Sequence, residues 1–155
     1  MALKSIKLVA FGLVLAITAQ NAWSMDINIS EEVSAEFKQG LEFVRAGNYS
    51  AALPLLEKAV GENPRNANAW NYIGYSNRKL KRFHEALVAY RKALALEPNH
   101  RAANEYIGEL YLQTGKPTKA KARLKVFDAA CFFGCEEYDE LKAAIAAYEA
   151  KRKGS

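Results

Sequence analysis

Both cysteines of the chain lie in one five-residue stretch, Cys131-Phe132-Phe133-Gly134-Cys135, and its two histidines are His84 and His100. Two thiols this close invite thiol–disulfide exchange, ligation of a soft metal, or a cross-link. Redox exchange expects a C-x-x-C pair at a helix start in a strand–helix–strand setting. Here the spacing is C-x3-C at the predicted end of a helix. A zinc site takes four ligands, and only two thiols are at hand, although two thiolates suit a soft ion such as Cu(I). Haem attachment lacks the histidine that must follow. A structural disulfide is the leading reading; a thiol-redox or metal-handling protein acting through Cys131 and Cys135 is the alternative. Within an unbroken helix, side chains at i and i+4 meet poorly for a bridge. Gly134 can adopt positive φ, end the helix and turn Cys135 back toward Cys131. So small a loop limits the chain-entropy gain to about 2 kcal/mol. The bridge would mainly fix the angle between the helices on either side.

Nothing else in the sequence points to catalysis. His84 and His100 belong to no H-E-x-x-H or C-x-x-C-H pattern and read as solvated surface histidines. There is no G-x-G-x-x-G, no P-loop and no G-x-S-x-G. No residue is assigned a catalytic or metal-binding role, and no cofactor is implied.

The N-terminus bears on compartment. Lys4 and Lys7 precede an apolar run from Leu8 to Ala19, followed by Ala22-Trp23-Ser24. A charged start, a short apolar segment and an A-x-S site predict a signal peptide over 1–24 and an N-terminal extension over 25–32. The apolar run is too short to span a bilayer, which takes about 20 residues. No cysteine follows it, which argues against a lipid-modified N-terminus. The expected location is periplasmic or secreted, with no stable membrane insertion after cleavage, where paired cysteines usually oxidise. The formal charge of +5 falls by the two lysines of the leader to +3. That is too little to argue for nucleic acid. The basic run Gly115–Lys125 reads as the solvated face of a helix, with an anionic membrane surface as the sharper alternative.

The elements that carry these residues repeat. Gly40, Gly74 and Gly108 are 34 residues apart, as are Ala52, Ala86 and Ala120, and Leu56, Tyr90 and Leu124. Ala59 and Ala93, and Pro64 and Pro98, keep the same step. Three blocks result, 33–66, 67–100 and 101–134, each with two stretches of helical apolar spacing. In the middle block Trp70, Ile73 and Gly74 stand in W-x2-L-G order, Ala86 and Tyr90 in A-x3-F order, and Pro98 closes the block. Glycine inside a helix costs about 1 kcal/mol relative to alanine, so three at one phase imply close helix approach. Block one is more polar at Glu36 and Gln39, and Pro54 predicts a mild kink. Block three has Asn104 at the Trp70 place, Phe127 at the Ala93 place and Phe132 at the Pro98 place. The array should therefore end there, capped by an amphipathic helix bearing Tyr138, Leu141, Ile145 and Tyr148 within 135–155. Ser30, followed by Glu31 and Glu32, is a plausible N-cap for the first helix.

In these three phased motifs the chain resembles the tetratricopeptide repeat (TPR) family. The resemblance implies an all-α TPR solenoid of three antiparallel helix pairs plus a C-terminal capping helix. It further implies a concave groove, lined by the first helix of each pair, that holds a peptide or a partner's helix. By repeat phase the inward positions are Phe37, Leu41, Val44 and Arg45; then Asn68, Asn71, Tyr75, Arg78 and Lys79; then Ala102, Glu105, Glu109, Leu112 and Gln113. Phe37, Leu41, Arg45, Asn68, Asn71, Tyr75, Arg78, Glu105 and Glu109 are the candidate partner-binding residues. Asn68 and Asn71 suit a peptide backbone, Tyr75 suits stacking, and Arg78 with Lys79 suits a carboxylate. Phe37 and Leu41 stand where the family's carboxylate-gripping groove would need polar groups, so that clamp is not expected. Tyr90, Tyr106, Tyr138 and Tyr148 read as core packing. The expected function is non-catalytic: a scaffold or assembly adaptor whose partner is another protein, with oligomeric state left open.

Overall fold

The computed structural model describes residues 34–131 and 134–154. The leader, Ser30 and Phe132 lie outside the described residues. Among the described residues, seven α-helices follow one another: α1 (Ala35–Arg45), α2 (Tyr49–Glu62), α3 (Ala67–Lys79), α4 (Phe83–Leu96), α5 (Arg101–Gln113), α6 (Pro117–Ala130) and α7 (Glu136–Lys153). They form three helix pairs, α1–α2, α3–α4 and α5–α6, with α7 against the last: an all-α TPR solenoid.

Local chemistry sets the helix ends. The cap of α1 is Ser34, whose hydroxyl accepts from the Phe37 N–H at 3.2 Å, so the helix begins after the Ser30 expected from sequence. Asn48 and Asn66 cap α2 and α3 in the same way, accepting from Ala51 and Ala69. His100 caps α5 through Nδ1, which accepts from the Ala103 N–H at 3.2 Å. Its Nε2 meets Asn68 Oδ1 at 3.1 Å. His100 is thus a structural cap rather than a solvated histidine. The turns inside the pairs share one phase: Gly47, Lys81 and Gly115 all have positive φ, at 73°, 62° and 72°. Only Lys81 carries a Cβ in that left-handed conformation. α2 is one helix through Pro54.

Packing follows the repeat phase, with one exchange. A Cβ on Gly74 would lie 2.6 Å from the Tyr90 ring, and one on Gly40 would lie 2.9 Å from Leu56. Both neighbours belong to the second helix of the same pair. At Gly108 the phase names Leu124, but the side chain met is Leu141 of α7, at 2.6 Å. Phe127, where the earlier pairs have alanine, is buried and meets Tyr138 of α7 edge-on at 6.2 Å between ring centroids. Leu141 and Ile145 are buried with it. Burying a Leu or Ile side chain stabilises by about 1.5–3 kcal/mol, so α7 is a structural cap on the third pair. Between α6 and α7, Cys131 and Cys135 stand at disulfide distance, with Cα atoms 5.6 Å apart and Gly134 between them at φ 85°.

Candidate functional site

The site is the face built by α1, α3 and α5, which the 34-residue step brings side by side. Its described centre is aromatic and cationic. Tyr75 meets Tyr106 at a 50° tilt with centroids 4.9 Å apart and meets Tyr49 edge-on at 5.8 Å. The Lys79 ammonium lies 5.8 Å and 5.7 Å from the Tyr49 and Tyr75 centroids. Tyr72 meets Phe37 at 6.1 Å. Tyr49, Tyr72, Tyr75 and Tyr106 are half-buried and Lys79 is exposed. Each ring therefore keeps one part packed and one part open. Burial, with Tyr49 beside it, pushes the Tyr75 phenol up, and burial does the same to Tyr106. These hydroxyls stay neutral donors through ordinary pH.

Four candidate residues lie deeper than the repeat phase suggested. Phe37 is buried in the core of the first pair. Asn71 is buried, and its Oδ1 has no partner among the described residues. Arg78, expected to hold a partner's carboxylate, is only 6% exposed. Its guanidinium pairs with Glu109 Oε2 at 2.6 Å, and its Nε donates to the Tyr90 hydroxyl at 3.4 Å. It also lies over the Tyr75 and Tyr106 rings at 5.3 Å and 5.5 Å. Arg78 is therefore an internal brace beneath the tyrosines: a charged donor fork satisfied by one carboxylate and one phenol. Glu105 is 3% exposed, covered by α7. The physical reason is common to these residues: the phase fixes direction, whereas depth depends on the bulk of neighbouring side chains.

Leu41, Arg45, Asn68 and Tyr75 remain open or partly open, and Glu109 is half-buried. Asn68 already pairs with His100. Sequence reasoning missed Tyr72 and Tyr49; it placed Tyr106 in the core, against which that ring does pack while part of it stays open. A usable signal existed for two of them: Tyr72 and Tyr106 are themselves 34 apart. Each lies one residue beyond an inward position. Tyr49 comes from the start of a second helix, a place that the first-helix rule does not survey.

The described cavities lie mostly elsewhere. One of about 240 Å³ opens between α5 and α7, lined by Glu109, Leu112, Gln113, Ala144 and Tyr148. Another of about 420 Å³ sits over Trp70, Ile73 and Val88, between α2, α3 and α4. Among the described residues, no group of three or more His, Cys, Asp or Glu side chains could hold a metal ion. No helix among them is long and apolar enough to cross a membrane.

Two family models, each described as tetratricopeptide repeat, match residues 37–90 and 78–145. Together they run from α1 into α7. The structure of MamA AMB-1 superposes with a TM-score of 0.57 at 30% identity, covering 66% of this chain and 56% of that one. The first TPR of Spaghetti (RPAP3), bound to the HSP90 peptide SRMEEVD, superposes with a TM-score of 0.66, covering 76% and 94%. At 20% identity that likeness shows the fold alone. The human PEX5-related protein is 28% identical over 89 residues, 57% of this chain and 14% of its own length. Human superkiller complex protein 3 is 32% identical over 82 residues, 53% of this chain and 5% of its own length. The chain thus spans a small part of these curated relatives. Repeat phase, helix pairing and both family models agree that this chain belongs to the tetratricopeptide repeat family.

Proposed function

We propose that the protein is a non-catalytic interaction scaffold or assembly adaptor that receives a peptide or helix of another protein on its α1–α3–α5 face. Its family and fold are generally modules of protein interaction. The observation that carries the reading is the row Tyr49, Tyr75 and Tyr106 beside exposed Lys79. Half-packed tyrosines offer large, rigid contact area at low entropy cost, and aromatic and cationic residues dominate binding hot spots. Lys79 and exposed Arg45 favour an acidic group in the partner; Leu41 favours an apolar one.

A periplasmic or secreted location completes the proposal. The sequence of residues 1–24 supports it, and so does a cysteine pair at disulfide distance, since exported thiols usually oxidise.

The test uses Tyr75→Ser with Lys79→Glu, because Arg78→Ala would remove an internal brace. Partners captured by the wild-type chain from an envelope extract are compared with those held by the double variant, with helicity checked by circular dichroism. Loss of the same partners at full helicity supports the reading. Equal capture by both would remove it.

A further inference from the structure

The turns inside the helix pairs fall on one edge of the described solenoid. Tyr49, just past the first of these turns, meets Tyr75 and Lys79 near the end of α3. Lys116, in the third, shares a cavity with Phe83 and His84 at the start of α4. The end of α7 reaches the same edge. Pro117, at the start of α6, shares a cavity with Tyr148, Arg152 and Lys153, and Lys121 pairs with Glu149. The start of α7 lies at the other edge, where Glu137 meets Arg101 of α5 at 3.6 Å.

Charge separates between these edges. The turn edge presents Lys81 and Arg82 from the second pair and Lys116, Lys119 and Lys121 from the third, all exposed. The end of α7 adds Arg152 and Lys153, also exposed, and Arg45 and Lys79 continue the row toward the groove. Against them stand Glu42, Glu85 and Glu149, the last already paired with Lys121. The opposite edge presents Glu62, Glu97, Glu136, Asp139 and Glu140, all exposed, with Lys38, Arg65 and Arg101 among them. The basic run Gly115–Lys125 is thus one part of a longer row that the small net charge conceals. Asymmetry of this kind points to a charged partner surface.

We infer that the turn edge docks on an anionic lipid membrane, with the helices standing on the surface and the α1–α3–α5 face opening sideways along it. The docking does not rest on the groove reading above. Each Lys or Arg near such a surface is worth about fivefold in binding, and a spread row needs no shared target. An acidic protein segment is instead gripped by donors that converge on its carboxylates. The buried fork best placed for that, Arg78, is bound to Glu109. Single-stranded nucleic acid is met by open aromatic platforms. Here the rings beside the row are covered: Lys119 lies 5.8 Å from the Tyr111 centroid and Arg152 6.0 Å from that of Tyr148.

Sedimentation of the full chain with lipid vesicles tests this. One set is phosphatidylcholine alone; the other holds about one-third phosphatidylglycerol. Wild type should prefer the second set about a hundredfold or more, and lose the preference as salt is raised. Lys116→Gln with Arg152→Gln should weaken binding to the anionic vesicles about 25-fold, since two cations leave the row. Lys38→Gln with Arg65→Gln removes the same charge from the opposite edge and should weaken it less than about threefold. Leu8–Ala19 is common to all these chains and cancels in the ratios between them. No preference for phosphatidylglycerol, or equal losses from the two pairs of substitutions, would overturn the inference. So would a polyglutamate chain held as tightly as the anionic vesicles with the same dependence on Lys116 and Arg152, which would assign the edge to an acidic protein. Partner capture by the groove is read separately, so the failure of either reading leaves the other standing.

Discussion

In the second helix pair, Gly74 is covered by the Tyr90 ring of its own partner helix; in the third, Gly108 is covered by Leu141 of α7. The same contrast runs through both regions. Trp70 Nε1 donates to the Pro64 carbonyl at 2.9 Å, and Asn104 Nδ2 donates to the Pro98 carbonyl at 3.0 Å. Asn104 thus keeps the hydrogen bond of the residue it replaces while giving up its bulk. Ala93 leaves room at the end of α4, whereas Phe127 fills the matching place and seats Tyr138. The repeat phase fixes which backbone positions demand a close neighbour. Side-chain bulk then decides which helix supplies it. The second pair is an interior unit that satisfies itself; the third is completed by a helix from outside the repeat.

Truncating the two covering side chains separates these regions most strongly. Tyr90→Ala should cost about 3–5 kcal/mol and Leu141→Ala about 2–5 kcal/mol, read by urea denaturation. Tyr90→Ala should weaken α3 and α5 together, because its hydroxyl also takes the Arg78 hydrogen bond. Leu141→Ala should lower exchange protection in α7 before it touches α3. If both variants lose protection in the same order, the two regions are one unit and the comparison fails.

Adding a methyl group at the covered glycines asks the same question more gently. Gly74→Ala and Gly108→Ala each set a Cβ 2.6 Å from a buried side chain. Overpacking of that kind costs about 1–3 kcal/mol. Gly74→Ala should be the worse, since the fully buried Tyr90 ring has nowhere to turn while Leu141 can shift with α7. Gly61 has nothing within 4 Å, so Gly61→Ala should raise stability by up to about 1 kcal/mol. Equal losses at Gly74 and Gly108 would mean α7 is held as rigidly as α4.

The smallest effect lies at the joint between the second and third pairs. His100→Ala removes the α5 cap and should cost about 1 kcal/mol. Burial holds the His100 imidazole below its ordinary 6.5. The unfolded chain therefore binds the extra proton first, and the cap's contribution, complete above 6.5, fades as pH falls from there through the folded value. His100→Asn should keep the cap and lose this acid sensitivity. A wild-type chain equally stable at pH 7 and pH 5.5 in this respect would refute the Nδ1 cap.

The array was legible because it is periodic: glycines, alanines and prolines at 34-residue steps show where helices approach and stop. The end of the array was legible too, from Phe127 at a small-residue place and from the apolar stripe of 138–148. The depth of the groove residues was not. Asn71, Arg78 and Glu105 are polar at inward phases, which reads as exposed, yet all three are buried, Arg78 against Tyr75, Tyr106 and Glu109. Nor did spacing show that α7 would lie over groove positions of α5. A cap's landing place depends on the surface it meets, here the bare backbone of Gly108 that Leu141 covers. His100 was misread for a related reason: a histidine rarely serves as a helix cap, so its type gave no cue.

The central claim is that the tyrosine row of Tyr49 at the start of α2, Tyr75 on α3 and Tyr106 on α5 receives a protein partner. Photo-crosslinking addresses it most directly. A benzophenone amino acid replaces Tyr75 in one chain and Val88, the exposed apolar residue on α4, in another. The account predicts a discrete heterologous adduct from position 75, lost in the presence of Lys79→Glu, and none from position 88. Adducts from position 88 with none from position 75 would contradict it and move the binding surface to the α2–α4 side.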